Sequence, residues 1–302
     1  MEINTSQKIF EYAHYFENLQ FIQEIDHIVD EFFGFLVENV PDYDFSGIAV
    51  IENRMAISYG SFDILYPPSK KIVLKSQNYS DEEFIEKIAE INLASRIVLC
   101  LNGEMYSAVN RRIRMLQLNL IKDIEEELHF VELVCFKFKK AGIMWTYRQK
   151  LTDKYFERKG VSKQVVEAFI NKEDPILEEF FKKYPRNYYG WGYKKYLIDE
   201  FVVKHGYIDV LYTEYLRLRE YCEKHIHDYC AFHLLGALAS KLEGKGGQKN
   251  NNVKQEEILW AQNLLKKYQD LYLLESLETH DKGVKYSELG AIKKFLHNLQ
   301  KS

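Results

Sequence analysis

The densest group of potentially reactive side chains in the sequence is Cys222-x-x-His225-x-His227-x-x-Cys230. Thiolates and imidazoles are the usual ligands of Zn²⁺, so such a group can bind a metal. Structural zinc sites, however, usually take a Cys-x-x-Cys or His-x-x-x-His pair from each arm. Here the four residues span the end of one predicted helix and the start of the next, with Asp228 as N-cap, so the ligands would diverge. The sequence therefore predicts no metal site on this chain.

His233 lies on the next predicted helix, directly after Phe232. A hydrogen-bonded core or interface histidine and a general base are the two alternatives, and the position in an apolar stripe favours the first. The acidic run Glu125-Glu126-Glu127 is interpreted as a solvated helix start, which the helix macrodipole favours. The sequence shows no Ser-His-Asp order, no glycine-rich phosphate loop and no spaced pair of carboxylates. We therefore expect no complete active site on this chain.

The composition is that of a soluble globular protein. The 302 residues are 46% hydrophobic and 28% charged, and the formal net charge is −4. Basic residues are dispersed rather than clustered, which argues against nucleic-acid binding. No stretch has the length and apolarity of a membrane span or the pattern of a signal peptide. The four cysteines lie mostly in apolar helical patterns and are interpreted as buried thiols, which predicts a cytoplasmic protein.

The first 79 residues are predicted to be a helical segment with short strands. Helices are expected at 7–19 and 21–37, and strands at Ile48–Ile51, Met55–Tyr59 and Ile72–Leu74, with a turn at 52–54. Pro67-Pro68 is expected to separate regular elements, because proline lacks a backbone donor. From Ser80, which begins the capping box Ser-Asp-Glu-Glu, every pattern is helical.

The stretch Pro185–Glu200 is the clearest helix start of the helical part. Pro185 ends the preceding helix and Asn187 is the predicted N-cap of the next. Tyr188, Trp191, Ile198 and Val202 form one helical stripe, and Tyr189, Tyr193 and Tyr196 form a second. A helix that is apolar on two sides has neighbours on both, as in a stacked helical array.

An internal repeat becomes visible when one aromatic or apolar position is aligned. Val109, Trp145, Trp191 and Phe232 occupy equivalent places, at spacings of 36, 46 and 41 residues. Such periods, with two helices per unit, predict an all-α fold, an α-solenoid of helical hairpins similar to tetratricopeptide arrays. The expected units are 80–118, 119–159, 160–205, 206–243 and 253–280, with a flexible insertion at 244–252 and a C-terminal helix at 285–300.

The run Pro185-Arg-Asn-Tyr-x-x-Trp-x-x-Lys194, preceded by Glu178-Glu-Phe-Phe181, resembles the repeat of the protein prenyltransferase α-subunit family, which typically reads Pro-Lys-Asn-Tyr-x-x-Trp-x-x-Arg. The segment Ile48–Arg54 and the helix end Leu99–Asn102 are similar to the α-subunit repeat-containing branch of that family. The resemblance covers about residues 45–280. Other units retain parts of the pattern: Leu101-Asn102, Ala108, Asn110 and Arg112 in the first, Trp145 and Arg148 in the second, and Asp228 and Phe232 in the fourth.

The sequence also departs from the family pattern at four positions. Gly103 stands where the family has proline, and Val109 stands where the first repeat has tryptophan. Lys194 and Leu235 stand where the third and fourth repeats have arginine. The chain therefore resembles a divergent member of the family.

The resemblance implies an obligate heterodimer. Family α subunits wrap a β subunit that holds the zinc, the isoprenoid diphosphate and most of the catalysis, so no cofactor is expected on this chain. The implied partner is the Rab-type β subunit, and the implied product is a geranylgeranyl thioether on a C-terminal cysteine of a membrane-trafficking protein. The residues that match the family's diphosphate-contacting lysine and acceptor-side tyrosine are Arg186 and Tyr188. Arginine can stabilise a departing diphosphate as lysine does.

The remaining repeat residues have competing interpretations. Trp145, Trp191 and Phe232 are predicted to pack in the core. Arg112, Arg148 and Lys194 are predicted to form ion pairs on the helix surface, the alternative being contact with a β subunit. For the whole chain, the alternative to the prenyltransferase subunit is a helical-repeat adaptor that binds an unrelated protein in its concave face. A tetratricopeptide module fits less well, because its period is a strict 34 residues.

Overall fold

The structure, a computed structural model, describes residues 48–51, 54–57, 59–245, 253–279 and 289–301, with side chains described at 65–243, 255–268 and 289–300. The chain forms two compact units, Met1–Lys159 and Gly160–Ser302. This division differs from the predicted boundary at 79/80. The predicted helices at 7–19 and 21–37 lie outside the described residues.

The first unit contains a β-hairpin followed by helices. Strands β1 and β2 pair antiparallel, with Ile51 opposite Arg54, so the predicted hairpin is present. A 3-10 turn at Ser76–Asn78 follows the first helix. The elements are β1 Ile48–Ile51, β2 Arg54–Ile57, α1 Tyr59–Lys75, α2 Asp81–Glu86, α3 Ile88–Leu101, α4 Tyr106–Gln117, α5 Ile124–Lys137 and α6 Gly142–Lys159.

Helix α1 corrects two predictions. Pro67 and Pro68 lie inside it, and the predicted strand Ile72–Leu74 is its last full turn. The helix packs on α3 through a buried stripe at helical spacing: Leu65, Ser69, Ile72 and Val73. Burial of this stripe outweighs the hydrogen bonds that the prolines cannot donate.

The second unit is entirely helical among its described residues. A π-helical turn, Ile198–Val203, continues α8 directly. The helices are α7 Lys163–Lys183, α8 Tyr188–Leu197, α9 Ile208–Lys224, α10 Tyr229–Lys245, α11 Val253–Thr279 and α12 Gly290–Lys301. Gly244 and Lys245, which were predicted to begin a flexible insertion, are the last residues of α10.

Successive helices form hairpins that stack within each unit. The hairpins are α3/α4 and α5/α6 in the first unit, and α7/α8, α9/α10 and α11/α12 in the second. The second helix of one hairpin contacts the second helix of the next, as α4 does with α6, α8 with α10 and α10 with α12. The all-α prediction is thus confirmed, as is the prediction of packed helical hairpins. Within the described residues, no helix is both long and apolar enough to cross a bilayer.

The predicted repeat positions coincide in the structure. Val109, Trp145, Trp191 and Phe232 are each the fourth residue of a second helix. All four are buried, with at most 5% of their surface exposed. The predicted equivalence and core packing are therefore confirmed.

Candidate functional site

The corner between α7 and α8 carries the two predicted catalytic residues. Asn187 caps α8, because its Oδ1 accepts hydrogen bonds of 3.1 Å from the backbone N–H groups of Tyr189 and Gly190. Tyr188 is the first helical residue and 76% of its surface is exposed. The N-cap prediction is confirmed, and the corner presents the Tyr188 ring to solvent.

Arg186 is held in an unusual backbone conformation. Its φ is +64°, in the left-handed region that costs a residue with a side chain about 1–2 kcal/mol. Its backbone N–H donates to Asp228 Oδ2 at 3.1 Å, and its side-chain Nε donates to the His227 carbonyl at 2.9 Å. The side chain is nevertheless exposed. The neighbouring hairpin therefore fixes Arg186 in place while its guanidinium remains accessible.

Asp228 connects the corner between α7 and α8 to the corner between α9 and α10. It is 1% exposed, and its Oδ1 caps α10 by accepting from the N–H groups of Cys230 at 3.1 Å and Ala231 at 3.3 Å. Besides Arg186, its Oδ2 accepts from Trp191 Nε1 at 3.1 Å and from the Tyr221 hydroxyl at 3.4 Å. The predicted cap is confirmed, and the same carboxylate links α8, α9 and α10.

Trp191 is packed by aromatic rings on two sides. The Phe181 ring stacks on it with centroids 3.7 Å apart, and the Tyr221 ring meets it edge-on at 5.3 Å. A Cβ added at Gly190 would lie 2.9 Å from both Phe180 and Phe181. The glycine before Trp191 therefore lets α8 approach α7 closely.

The three cationic repeat residues are not on the surface, which corrects the prediction. Arg112 is 1%, Arg148 2% and Lys194 8% exposed. Arg148 donates to the Leu128 carbonyl at 2.8 Å. Burial excludes Arg112 and Arg148 from direct contact with a second chain that docks on this fold. Their role in this structure is internal.

Arg112 forms a two-pronged ion pair with Glu127 of α5. The Tyr147 hydroxyl donates to Glu127 Oε1 at 2.8 Å, and Arg96 lies 3.4 Å from Oε2. Glu127 is itself only 1% exposed, so its predicted place in a solvated helix start is wrong. Burial alone would raise the pKa of Glu127, but Arg112 and, to a lesser degree, Arg96 and Tyr147 lower it.

In the second unit, Lys194 belongs to a closed ring of four charges. Its Nζ pairs with Asp174 of α7 and with Glu214 of α9. Arg217 closes the ring, with Nη1 2.9 Å from a carboxylate oxygen of each of the same two acids. Burial is the main influence on the pKa of Glu214 and raises it in spite of Lys194. The ring is electrically neutral when all four groups are ionised, and it joins three helices.

One signal in the sequence could have revealed this burial. The position three residues after the aligned core residue holds Arg112, Arg148, Lys194 and Leu235. Leucine at this position in the fourth repeat, 0% exposed in the structure, indicates an interior site, where a cation needs an internal partner.

The depressed pKa of Glu127 predicts an acid dependence. Its pKa is lower in the folded state than the ordinary value of 4.5. Its stabilisation is therefore complete above about pH 4.5 and is lost as pH falls through the folded-state pKa. We expect the stability advantage of the parent over Glu127→Gln, measured by urea unfolding, to be constant from about pH 7 to 5 and to shrink below about pH 4. An advantage that grows on acidification would contradict the ion pair.

The Cys222–Cys230 cluster does not form a metal site. Cys222 is fully buried, and burial raises its pKa well above the usual value. Burial also raises the pKa of Cys230 to about 11, and His225 stacks on Tyr221 at 4.2 Å. Within the described residues, no three Cys, His, Asp or Glu side chains are placed to hold a metal ion. His233 is exposed on α10, so it is not a core histidine, and the alternative of an interface histidine stays a prediction.

The sequence was compared with models of protein families and with curated proteins. No family model matches the chain, and no curated protein matches it.

Proposed function

We propose that the chain is the α subunit of a two-chain protein prenyltransferase that transfers a geranylgeranyl group. The resemblance assigns Arg186 and Tyr188, alone among the residues of this motif, to the shared active site. In the structure these two side chains are exposed, whereas Trp191 and Lys194 of the same motif are buried. This partition is the observation that supports the proposal.

In the proposed reaction the acceptor cysteine attacks the isoprenoid carbon and diphosphate departs. Negative charge grows on the departing oxygens, and the fixed Arg186 guanidinium offers hydrogen bonds to them. Tyr188 would lie beside the acceptor peptide. The zinc, the isoprenoid pocket and the remaining catalysis belong to a Rab-type β subunit, in the cytoplasm. The superhelical arrangement of family α subunits is part of the same proposal.

The test is co-expression with a Rab-type β subunit, followed by a geranylgeranyl-transfer assay. We expect no transfer by the chain alone, and transfer by the pair. Arg186→Ala and Arg186→Gly are expected to lower kcat roughly 10²-fold, the effect of removing one transition-state donor. Transfer by the chain alone, or failure of the β subunit to co-purify, would overturn the proposal.

The glycine variant separates function from folding. Because Arg186 has a positive φ, Arg186→Gly relieves backbone strain and is expected to be at least as stable as Arg186→Ala. Lys182→Ala is the matched control, since Lys182 is a nearby cation with 58% of its side chain exposed. Its transfer rate is expected to equal that of the parent.

The second candidate function is a helical-repeat adaptor for an unrelated protein. It is favoured by exposed tyrosines that recur as the first residue of second helices: Tyr106 at 64%, Tyr188 at 76% and Tyr229 at 53%. Exposed tyrosines are common at protein interfaces. Affinity capture that recovers another protein and no prenyltransferase β subunit, with recovery lost in Tyr188→Ala/Tyr229→Ala, would favour this candidate.

A further inference from the structure

A groove lies between α7 and α9 in the second unit. Its cavity has a volume of about 340 Å³, within the range of small-ligand sites. The lining residues of α7 run from Asn171 to Phe181 and those of α9 from Glu214 to Lys224, with His225 directly after the end of α9. Ten residues of helix span about 15 Å. We call this feature the α7–α9 groove; neither Arg186 nor Tyr188 lines it.

The groove differs in chemistry between its two ends. The ring of four charges lies at one end, where Asn171 also accepts a hydrogen bond of 2.9 Å from Arg217. The other end is aromatic, where the rings of Phe181 and Tyr221 meet edge-on with their centroids 6.2 Å apart. Pro175 and Leu218 line the wall between them. A ligand that fits both ends is elongated and amphipathic.

Most lining charges neutralise one another. The ring contains two acids and two bases, and Glu220 pairs with Lys224 at 2.7 Å. Burial lowers the pKa of His225, which disfavours a positive charge on its ring. Among the carboxylates that line the groove, Glu178 differs because its ion-pair partner, Lys182, lies outside the groove.

Glu178 is available to an incoming cation. Its pair with Lys182 spans 3.0 Å, and 55% and 58% of the two side chains are exposed. Such pairs contribute little and exchange readily. Glu178 lines the groove together with Glu220, Tyr221 and Lys224 of α9, so the carboxylate faces the opposite wall. The α7–α9 groove therefore offers one replaceable negative charge beside apolar surface.

We propose that the α7–α9 groove binds a short extended segment of a partner polypeptide that carries a lysine or arginine among apolar residues. The cation pairs with Glu178, and the flanking side chains contact Pro175, Leu218 and the Trp191 side of the groove. At about 3.3 Å per residue, the groove accommodates four to five residues. This inference does not depend on prenyl transfer, because binding is a property of this chain alone.

The test uses the purified full chain and a mixed pentapeptide library with arginine, glutamine or glutamate fixed at the centre. We expect the arginine pool to be retained about tenfold more than the glutamine pool, as a charge-assisted contact requires, and the glutamate pool least. Glu178→Lys is expected to abolish the preference. Glu179→Lys, the matched control, should keep it, because Glu179 is an exposed neighbour on α7 that does not line the groove.

A second measurement locates the bound peptide. The chain has three tryptophans, so its indole N–H signals can be assigned by substitution. Addition of the retained arginine pool is expected to shift the Trp191 signal and leave that of Trp145 unchanged. Equal retention of the three pools, an unchanged preference in Glu178→Lys, or no shift of Trp191 would overturn the proposal.

Discussion

Glu127→Ala is expected to destabilise the first unit by about 3–5 kcal/mol, the usual cost of breaking a buried ion pair from one side. The substitution removes the carboxylate that accepts from Arg112 Nε and Nη2 and from the Tyr147 hydroxyl, while Arg112 Nη1 retains Asn92 and Ser95 as acceptors. A domain of this kind has only about 5–15 kcal/mol of stability. Hydrogen exchange measured by mass spectrometry should therefore show a more than hundredfold loss of protection in α3–α6.

Two variants control this result. Glu125→Ala changes an exposed acid in the first turn of the same helix and is expected to cost less than about 1 kcal/mol. Arg112→Met/Glu127→Leu removes both charges and is expected to recover most of the loss, because apolar pairs often replace buried ion pairs without penalty. If Glu127→Ala and Glu125→Ala lose protection equally, the pair is not what stabilises the first unit.

Asp228→Ala is expected to cost about 3 kcal/mol or more in the second unit. Loss of the α10 cap accounts for about 1 kcal/mol. The Trp191 indole N–H, buried against Phe181 and Tyr221, loses its acceptor at a further cost of about 1–3 kcal/mol. The Arg186 backbone N–H is released at the same time. We therefore expect both a lower denaturation midpoint and faster tryptic cleavage after Arg186.

Asp228→Asn separates the contributions. Asparagine retains the cap but has one acceptor oxygen in place of two, so the variant should fall between the parent and Asp228→Ala in stability. Cleavage after Arg186 should rise in both variants, since both disturb the Oδ2 bonds. Parent-like cleavage in Asp228→Ala would show that the corner is held by other contacts.

Local signals explain which parts of the structure were predictable. Asn187 and Asp228 cap their helices by accepting from backbone N–H groups two and three residues away. Because these partners are neighbours in sequence, a short sequence pattern is enough to predict the caps. The aligned residues from Val109 to Phe232 could be predicted as buried because each is apolar or aromatic and each lies on the apolar face of its predicted helix. The predicted hairpin units came from the same periodicity, but the stretch predicted as the fifth unit, 253–280, contains one helix, α11, which pairs with α12.

The missed features depend on partners distant in sequence. Arg112 lies 15 residues from Glu127, and Lys194 lies 20 residues from Glu214; no local pattern links such residues. Helix α1 was missed because two prolines usually end a helix, and packing of its buried stripe outweighed that preference. Arg186 and Tyr188 were predicted from the resemblance. Their exposure agrees with the predicted role, and the role itself stays a prediction.

Buried polar contacts also make the hairpins α7/α8 and α9/α10 depend on one another. Lys194 pairs with Asp174 of its own hairpin and with Glu214 of the hairpin that follows, and Trp191 donates to Asp228 of that following hairpin. Excising α9/α10 would remove Glu214 and leave Asp174 as the acid beside Lys194, and it would take the acceptor Asp228 from the Trp191 indole. The hairpin α7/α8 therefore depends for part of its buried polar contacts on the hairpin that follows it.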